Sequence, residues 1–392
     1  MENFSFHNST EIIFGRDAEY KTGQEVKKYS ARILLHYGGR TIVETGLYER
    51  IIKSLKDENV EFIELSGVQP NPSVALVKKG IKICRENNIN FILAVGGGSV
   101  IDSAKAISLG IPYEGEVWDF FMGKAKPLSA AGIGVVLTVP AAGSESSVVT
   151  VITNEEISLK KGFHSHLILP KFAILNPEIT FTIGSFQTSC GALDSISHVL
   201  ERYFTPTGKA DLTDRLCEAC MRSVIENLMV VLKDPRDYDA RAELMWASTI
   251  AHNGILGTGR IEDWASHKLA HELSALYGVT HGAALSVIFP AWMKYVYSRN
   301  IKRFVQFAVR VWGVDPCFGN DEYIALAGIR KFEDFLKKVN LPVRIKELEI
   351  DPDELKKIDF AGMAQKELQW GPIGNLIKLN EQDIVRIYNL AM

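Results

Sequence analysis

A carboxylate and several histidines in the second half of the sequence are spaced for metal binding. Asp194 and His198 are four residues apart, as are His267 and His271, and His281 follows ten residues later. Residues four apart lie on one face of a helix, one turn from each other. A carboxylate oxygen combined with imidazole nitrogens is typical of a divalent transition-metal site. Any one histidine alone is more typical of an ordinary core or surface position, so the prediction depends on the whole set.

A glycine-rich turn in the first half is spaced for phosphate binding. Residues 96–99 read Gly-Gly-Gly-Ser, after a predicted strand at 91–95 and before a predicted helix through Asp102. Glycines let the backbone approach a diphosphate closely, and the N-terminus of a helix supplies N–H donors. The spacing is not the GxGxxG dinucleotide fingerprint. The alternative is a plain strand-to-helix turn.

Two other predicted strand ends carry candidate cofactor contacts. Residues 38–40 read Gly-Gly-Arg, with no carboxylate to repel a 2′-phosphate, which favours NADP(H) over NAD(H). Arg40 is also explicable as a solvated surface charge. The segment 138–147 is rich in Ser and Gly, and its hydroxyls, including that of Ser144, are candidate contacts for a nicotinamide or a phosphate.

The order of the predicted elements divides the chain into two domains. Strand-like and helical patterns alternate over the first half, as in a parallel sheet with helical crossovers. After about residue 182 the patterns are helical, including a predicted helix over 265–277. The sequence therefore predicts an α/β domain at 1–181 and an all-helical domain at 182–392.

Bulk composition excludes several classes of protein. The chain has 392 residues, of which 46% are hydrophobic and 23% charged, which excludes general disorder. A net charge of −3 gives no field that would attract nucleic acid or an anionic membrane. No apolar run approaches the ~20 residues of a membrane helix, and no secretory signal pattern is present at the start. Five cysteines without disulfide-like spacing favour a reducing cytoplasm.

Taken in chain order, these motifs resemble the iron-containing (group III) alcohol dehydrogenase family. The similarity covers nearly the whole sequence and is strongest to the butanol dehydrogenase and broad-range aldehyde reductase branch. The similarity to the family rests on residues 96–102, the Gly-Ser-Glu turn at 143–145, and the spaced Asp and His residues at 194–198 and 267–281. The closer match to the branch rests on residues 37–39, 70–72, 91–102, 163–165 and 263–265. The resemblance implies a dehydroquinate synthase-like architecture, with a Rossmann-like α/β dinucleotide-binding domain followed by an all-α metal-binding domain.

The resemblance also implies roles for individual residues. The implied metal ligands are Asp194, His198, His267 and His281, with Fe²⁺ as the family's metal, although this donor set also accepts Zn²⁺. His271 is the implied proton relay near the nicotinamide; the alternative is that it only orders the pocket. The implied cofactor contacts are Gly38, Gly39, Arg40, Gly97, Gly98, Ser99, Asp102, Thr138, Val139, Ser147 and Lys160. Arg40 replaces a glycine of the branch, which leaves the choice between NADP(H) and NAD(H) open.

The expected function is the metal-dependent interconversion of primary alcohols, butanol-like in size, and aldehydes with NAD(P)(H). The expected form is a cytoplasmic homodimer acting on a small molecule, without nucleic-acid or membrane partners. Two alternatives share the fold: a glycerol dehydrogenase-like enzyme and a dehydroquinate synthase-like enzyme, both usually with Zn²⁺. The synthase would need a Lys and Arg cluster for a phosphorylated acid, and none accompanies the metal residues. A non-catalytic nucleotide- or metal-binding protein is the third alternative.

Overall fold

The chain divides into two compact units, which are built from different elements. The computed structural model describes residues 1–392, apart from the side chain of Phe318. We call the first the α/β unit; it contains His7–Ile183 and Asp234–Asn253. We call the second the helical unit; it contains Met1–Phe6, Gly184–Lys233 and Gly254–Met392.

The α/β unit is organised around a parallel sheet. Its strands are β1 Glu11–Phe14, β2 Arg32–Tyr37, β3 Glu61–Leu65, β4 Phe91–Gly96, β5 Gly132–Leu137, β6 Val149–Asn154, β7 Leu159–His164 and β8 Phe172–Leu175. Six of them form one sheet in the order β1-β8-β5-β4-β2-β3, with every neighbouring pair parallel. This confirms the predicted parallel sheet. Strands β6 and β7 form a separate antiparallel pair that the sequence patterns did not predict.

Helices cover both faces of this sheet. The helices of the α/β unit are α1 Thr22–Lys27, α2 Thr41–Glu44, α3 Leu47–Asp57, α4 Val74–Glu86, α5 Gly98–Gly110, α6 Trp118–Phe121 and α9 Tyr238–His252. Every residue of β4 is buried, as expected for a central strand whose two faces are both covered. Ile92 points into a core with α4 and α5, whereas Leu93 points into a core with α1 and α3. This alternation follows from the two-residue period of a strand.

Helix α9 belongs to the α/β unit although it follows residue 182 in the sequence. Thr249 on this helix donates a hydrogen bond of 2.6 Å to the buried Glu145 Oε1. Met245 is part of the same apolar core as Ile92. These contacts connect α9 to the elements that follow strand β5.

The helical unit consists of helices and short turns. Its helices are α7 Ser185–Tyr203, α8 Asp211–Val231, α10 Ala265–Tyr277, α11 His281–Val296, α12 Ile301–Arg310, α13 Asp321–Lys338, α14 Pro352–Leu355, α15 Phe360–Leu368 and α16 Glu381–Ala391. Helix α10 has the predicted bounds. Helix α7 is buried on all sides from Thr188 to Tyr203, because it packs against α8, α10 and α11. Within the described part of the chain, no helix is both long enough and apolar enough to cross a membrane.

Candidate metal centre and nucleotide-binding edge

Three helices of the helical unit bring the predicted metal ligands together. Asp194 lies in the middle of α7, His267 in the first turn of α10, and His281 at the first position of α11. One ligand atom from each of these side chains can be chosen so that all three lie within 4.8 Å of one another. Residues that are far apart in the sequence therefore meet at one point.

Asp194 Oδ1 is the common atom of this cluster. It lies 3.9 Å from His267 Nε2 and 3.8 Å from His281 Nε2. A metal held at about 2.0–2.2 Å by each ligand keeps neighbouring ligand atoms roughly 3–3.5 Å apart. The observed distances need only small side-chain movements to reach that range. One carboxylate and two imidazoles, with Asp194 and His267 buried and His281 partly exposed, fit a divalent transition metal.

His198 lies beside the three-residue cluster. Its Nδ1 donates a hydrogen bond of 2.9 Å to the main-chain carbonyl of Asp194, and its ring centroid is 4.6 Å from that of His267. Burial is the main cause that lowers the pKa of His198 to about 3, so its imidazole is neutral near pH 7. A neutral imidazole with Nδ1 protonated coordinates a metal through Nε2.

The ring of His267 lies between two carboxylates, those of Asp194 and Glu201. Burial, the largest single cause, lowers its pKa, but hydrogen bonds and charge from Asp194 and Glu201 together outweigh burial and raise it. The edge of the Trp264 ring packs against it with a centroid separation of 5.1 Å, and Phe289 packs at 6.1 Å. These aromatic side chains limit access of water to that side of the cluster.

His271 lies one helical turn beyond His267. Its ring centroid is 5.1 Å from that of His281 and 6.5 Å from that of His267. The side chain is only partly buried. The structure therefore places His271 next to the cluster, at a distance where it can act separately from the ligands.

The predicted cofactor residues of the α/β unit follow three neighbouring strands at one edge of the sheet. Residues 38–40 follow β2, residues 97–99 follow β4, and Thr138 and Val139 follow β5. Because β2, β4 and β5 are adjacent and parallel, their carboxyl ends lie at the same edge. In the strand order, β3 lies on one side of β2 and β4 on the other, so the order of the strands reverses between β2 and β4. Ligands of such sheets bind beyond the carboxyl ends of the strands at this point of reversal.

The glycine turn leaves little room for side chains. A Cβ on Gly97 would lie 3.0 Å from the Cβ of Val139, and one on Gly98 would lie 3.3 Å from the Cβ of Ala142. Gly97 precedes the first turn of α5 and contributes no side-chain cap. The N–H groups at the start of α5 are thus left to bind an anion through the backbone.

The side chains of Asp102, Lys105, Ser144 and Ser147 form a polar network next to this turn. Asp102 Oδ1 accepts a hydrogen bond of 2.6 Å from Ser144 Oγ, and Asp102 Oδ2 accepts one of 3.0 Å from the main-chain N–H of Val151. Ser147 Oγ accepts a hydrogen bond of 3.2 Å from Lys105. Burial raises the pKa of Asp102, and the charge of Lys105 opposes that rise. Hydrogen bonds within the protein therefore fix the positions of the Asp102, Ser144 and Ser147 side chains.

Hydrogen bonds fix the side chains of Lys160 and His252 in the α/β unit. Lys160 on β7 is buried and donates a hydrogen bond of 2.8 Å to Asn71 Oδ1. His252, on α9, is bonded through Nδ1 to the carbonyl of Ala142 over 2.9 Å. His252 thus supports the 138–147 turn and does not belong to the metal cluster.

Comparison with known protein families identifies the family of this chain. Residues 9–177 match the model described as iron-containing alcohol dehydrogenase. Residues 188–392 match the C-terminal model of the Fe-containing alcohol dehydrogenase family. The chain belongs to the iron-containing alcohol dehydrogenase family.

Individual members of the family are similar over 93–100% of this chain. The chain is 41% identical to a Bacillus subtilis protein named "Probable NADH-dependent butanol dehydrogenase 2", with all of both chains covered. It is 35% identical to the Escherichia coli NADPH-dependent aldehyde reductase YqhD, over 93% of this chain and 95% of that one. The crystal structure of NADH-dependent butanol dehydrogenase A from Thermotoga maritima superposes with a TM-score of 0.94 at 38% identity, covering 100% of this chain and 99% of that one.

Sequence reasoning missed two charged residues of this iron-containing alcohol dehydrogenase. Lys105 is fully buried and donates to Ser144 Oγ, Ser147 Oγ and two main-chain carbonyls. Glu201 is buried and accepts a hydrogen bond from His267. Their spacing could have identified both residues. Lys105 lies three residues after Asp102, and Glu201 three residues after His198, so each shares a helix face with a candidate site residue.

Proposed function

We propose that this chain catalyses reversible hydride transfer between a nicotinamide cofactor and primary alcohols, butanol-like in size, or the corresponding aldehydes. Membership of the family makes it an oxidoreductase that interconverts alcohols and aldehydes with NAD(H) or NADP(H). The observation that carries the proposal is the cluster of Asp194, His267 and His281, of which the first two are buried and His281 is partly exposed. The names of the butanol dehydrogenase and aldehyde reductase relatives support the substrate class.

The helical unit would hold the metal through Asp194, His198, His267 and His281, with His198 supplying the fourth donor through Nε2. We propose Fe²⁺ as the metal; the same donors also suit Zn²⁺. When bound, the metal supplies Lewis acidity that polarises the oxygen of the substrate. The four side chains fix where that oxygen binds. Burial of Asp194 and His267 keeps their donor atoms from competing contacts with bulk water.

The α/β unit would bind the nucleotide at the carboxyl edge of its sheet. The N–H groups of Gly97, Gly98 and Ser99 would bind the diphosphate, and Thr138 and Val139 would contact the remainder of the cofactor. Asp102, Ser144 and Ser147 would shape this site, because Ser144 is bonded to Asp102 and Lys105 is bonded to both serines, which holds the turn after β5 in place. Lys160, positioned by Asn71, would add a positive charge. The cofactor carries the hydride, and the protein supplies its placement and electrostatics.

His271 is our candidate for holding and moving the proton of the substrate hydroxyl. Its ring lies 5.1 Å from the ring of His281, and none of the four proposed ligand positions requires it. Its partial exposure allows exchange of a proton with solvent.

We favour NADP(H) over NAD(H) as the cofactor because of Arg40. This residue is exposed at the end of β2 and precedes the short helix α2. No carboxylate lies in the 38–40 turn, and a guanidinium is well suited to a 2′-phosphate. The alternative is an Arg40 that stacks on the adenine and accepts both cofactors, a reading that the NADH-dependent relatives favour.

We also propose a cytoplasmic homodimer, with residues 1–181 as the nucleotide-binding domain and 182–392 as the metal-binding domain. All five cysteines are free thiols, as expected in a reducing compartment. Strand β1 is an edge strand of the sheet, and Phe14 on it is 41% exposed. An edge strand of this kind can pair with a second chain. Light scattering of the purified protein tests the dimer.

The direct test follows absorbance of NADPH or NADH with butanal, with and without a metal chelator. We expect oxidation of the cofactor that stops when the chelator removes the metal and returns when Fe²⁺ or Zn²⁺ is added. Absence of cofactor oxidation with both nucleotides across several aldehydes would contradict the proposal and favour a non-catalytic binding protein.

A further inference from the structure

We propose that Glu201 is the positioning residue that fixes the ring of His267 for metal binding. The inference rests on the proposed metal site and adds a residue to it. Glu201 lies on α7 and is 1% exposed. Its Oε1 accepts a hydrogen bond of 2.7 Å from His267 Nδ1. Glu201 therefore contacts a proposed ligand without being one.

This hydrogen bond selects one tautomer of His267. A carboxylate only accepts hydrogen bonds, so the proton of the neutral imidazole resides on Nδ1. The lone pair then resides on Nε2, the atom that faces Asp194 Oδ1 at 3.9 Å. Metal-ligating histidines commonly donate their second N–H to a carboxylate, which orients the ring and increases its basicity.

The same carboxylate also fixes the backbone that carries His267. Oε1 accepts a second hydrogen bond, of 2.9 Å, from the main-chain N–H of His267, and Oε2 accepts one of 2.5 Å from the N–H of Trp264. Trp264 has a φ of 66°, in the left-handed region, and gives α10 no side-chain cap. Glu201 thus acts as the missing N-terminal cap and holds both the main chain and the ring of His267.

The spacing on α7 places this support beside the ligands. Asp194, His198 and Glu201 are separated by four and three residues, so they share one face of the helix. In addition, the main-chain carbonyl of Glu201 accepts a hydrogen bond of 2.8 Å from Asp263 N. One helix therefore supplies two ligands and the group that orients a third on α10.

Metal affinity distinguishes a purely structural role of Glu201 from a positioning role. If Glu201 only caps α10, its loss lowers thermal stability and leaves the metal affinity of the folded protein unchanged. If it orients His267, the affinity falls as well. Loss of such a supporting hydrogen bond typically costs roughly 10–100-fold in metal affinity.

The experiment compares full-length wild type with Glu201→Gln, each loaded with Zn²⁺ and titrated with a chelator. We expect Glu201→Gln to bind Zn²⁺ about 10–100-fold more weakly. The matched control is Glu218→Gln, which alters another buried carboxylate of the helical unit. Glu218 accepts hydrogen bonds from Tyr203 and Gln306 and is not part of the metal cluster. This control should lower Tm and leave Zn²⁺ affinity within twofold of wild type.

The outcomes separate the two proposals. A folded Glu201→Gln protein with wild-type Zn²⁺ affinity overturns the role of Glu201 while the proposed metal site stands. A wild type that retains no metal overturns both. Should Glu201→Gln fail to fold, nitrogen-15 NMR of the Zn²⁺-loaded wild type decides: the proposal requires a proton on His267 Nδ1, and zinc bound at Nδ1 contradicts it.

Discussion

The hydroxyl of Ser144 donates a hydrogen bond of 2.6 Å to Asp102 Oδ1. These two residues are far apart in the sequence, one in the first turns of α5 and the other after β5, and Lys105 Nζ donates to the same hydroxyl over 3.0 Å. The glycine turn before α5 is therefore connected to the serine-rich turn through a charged, buried network. Both turns are candidate contacts of the nucleotide, so their relative positions depend on three side chains.

Lys105→Met should destabilise the α/β unit and weaken cofactor binding. The ammonium donates to the carbonyls of Ser147 and Val149 at 2.8 and 2.7 Å, and buried groups left unsatisfied cost about 1–3 kcal/mol each. We therefore expect a clearly lower Tm and a higher KM for NADPH. The control Lys79→Met changes an exposed lysine of α4 and should alter neither quantity. A Lys105→Met protein with wild-type Tm and KM would show that the network is dispensable.

His267→Ala should abolish metal retention and turnover together. The residue contributes the Nε2 donor at the centre of the proposed site and is 4% exposed. Metal analysis of the anaerobically purified protein and the butanal assay measure the two effects. His166→Ala, which alters an exposed histidine of the α/β unit, should retain both properties. Full activity in a metal-free His267→Ala protein would refute the proposed mechanism.

Arg40→Asp should discriminate against NADPH. Loss of a charge-assisted hydrogen bond to the 2′-phosphate costs about 1.5–3 kcal/mol, which corresponds to an increase in the KM for NADPH of at least about tenfold. The KM for NADH should change much less, because NADH has no 2′-phosphate. Steady-state kinetics with both cofactors provide the measurement. Equal changes for both would instead indicate that Arg40 stacks on the adenine.

His36 should make the stability of the protein depend on acid pH. Burial lowers the pKa of this histidine to about 4, from about 6.5 in the unfolded chain. Its nitrogens are hydrogen-bonded to the carbonyl of Leu65 and the hydroxyl of Ser103, each at 2.8 Å. Below pH 6.5 the unfolded chain binds a proton that the folded protein does not, so the stabilisation present above pH 6.5 is lost as the pH falls towards 4.

Thermal melting of wild type and His36→Gln across pH 4–7 tests this expectation. The advantage of wild type in Tm should shrink as the pH decreases, because only wild type carries the titrating imidazole. A difference in Tm that is constant over this range would mean that His36 keeps its ordinary pKa in the folded protein.

Much of the fold was predictable from local patterns. The continuous apolar run of β4 and the helical periodicity of α10 are properties of neighbouring residues, and both elements form as predicted. The β6–β7 pair was not predicted, since β6 has only two buried residues and the exposed residues of β7 are Gly162 and His164, which leaves little apolar pattern to detect. The membership of α9 in the α/β unit depends on contacts such as Thr249 with Glu145, which no local pattern reveals.

Residue types and spacing were enough to identify the candidates for chemistry. The four-residue spacing of Asp194 and His198 places both on one face of α7, and the three consecutive glycines at 96–98 mark a turn that can approach a phosphate closely. Which of these side chains meet depends on the packing of the helices. The distance of 3.8 Å from His281 Nε2 to Asp194 Oδ1 depends on how α7 and α11 pack. The same packing places Glu201 against His267, because side-chain contacts between helices depend on their relative position, which sequence spacing does not encode.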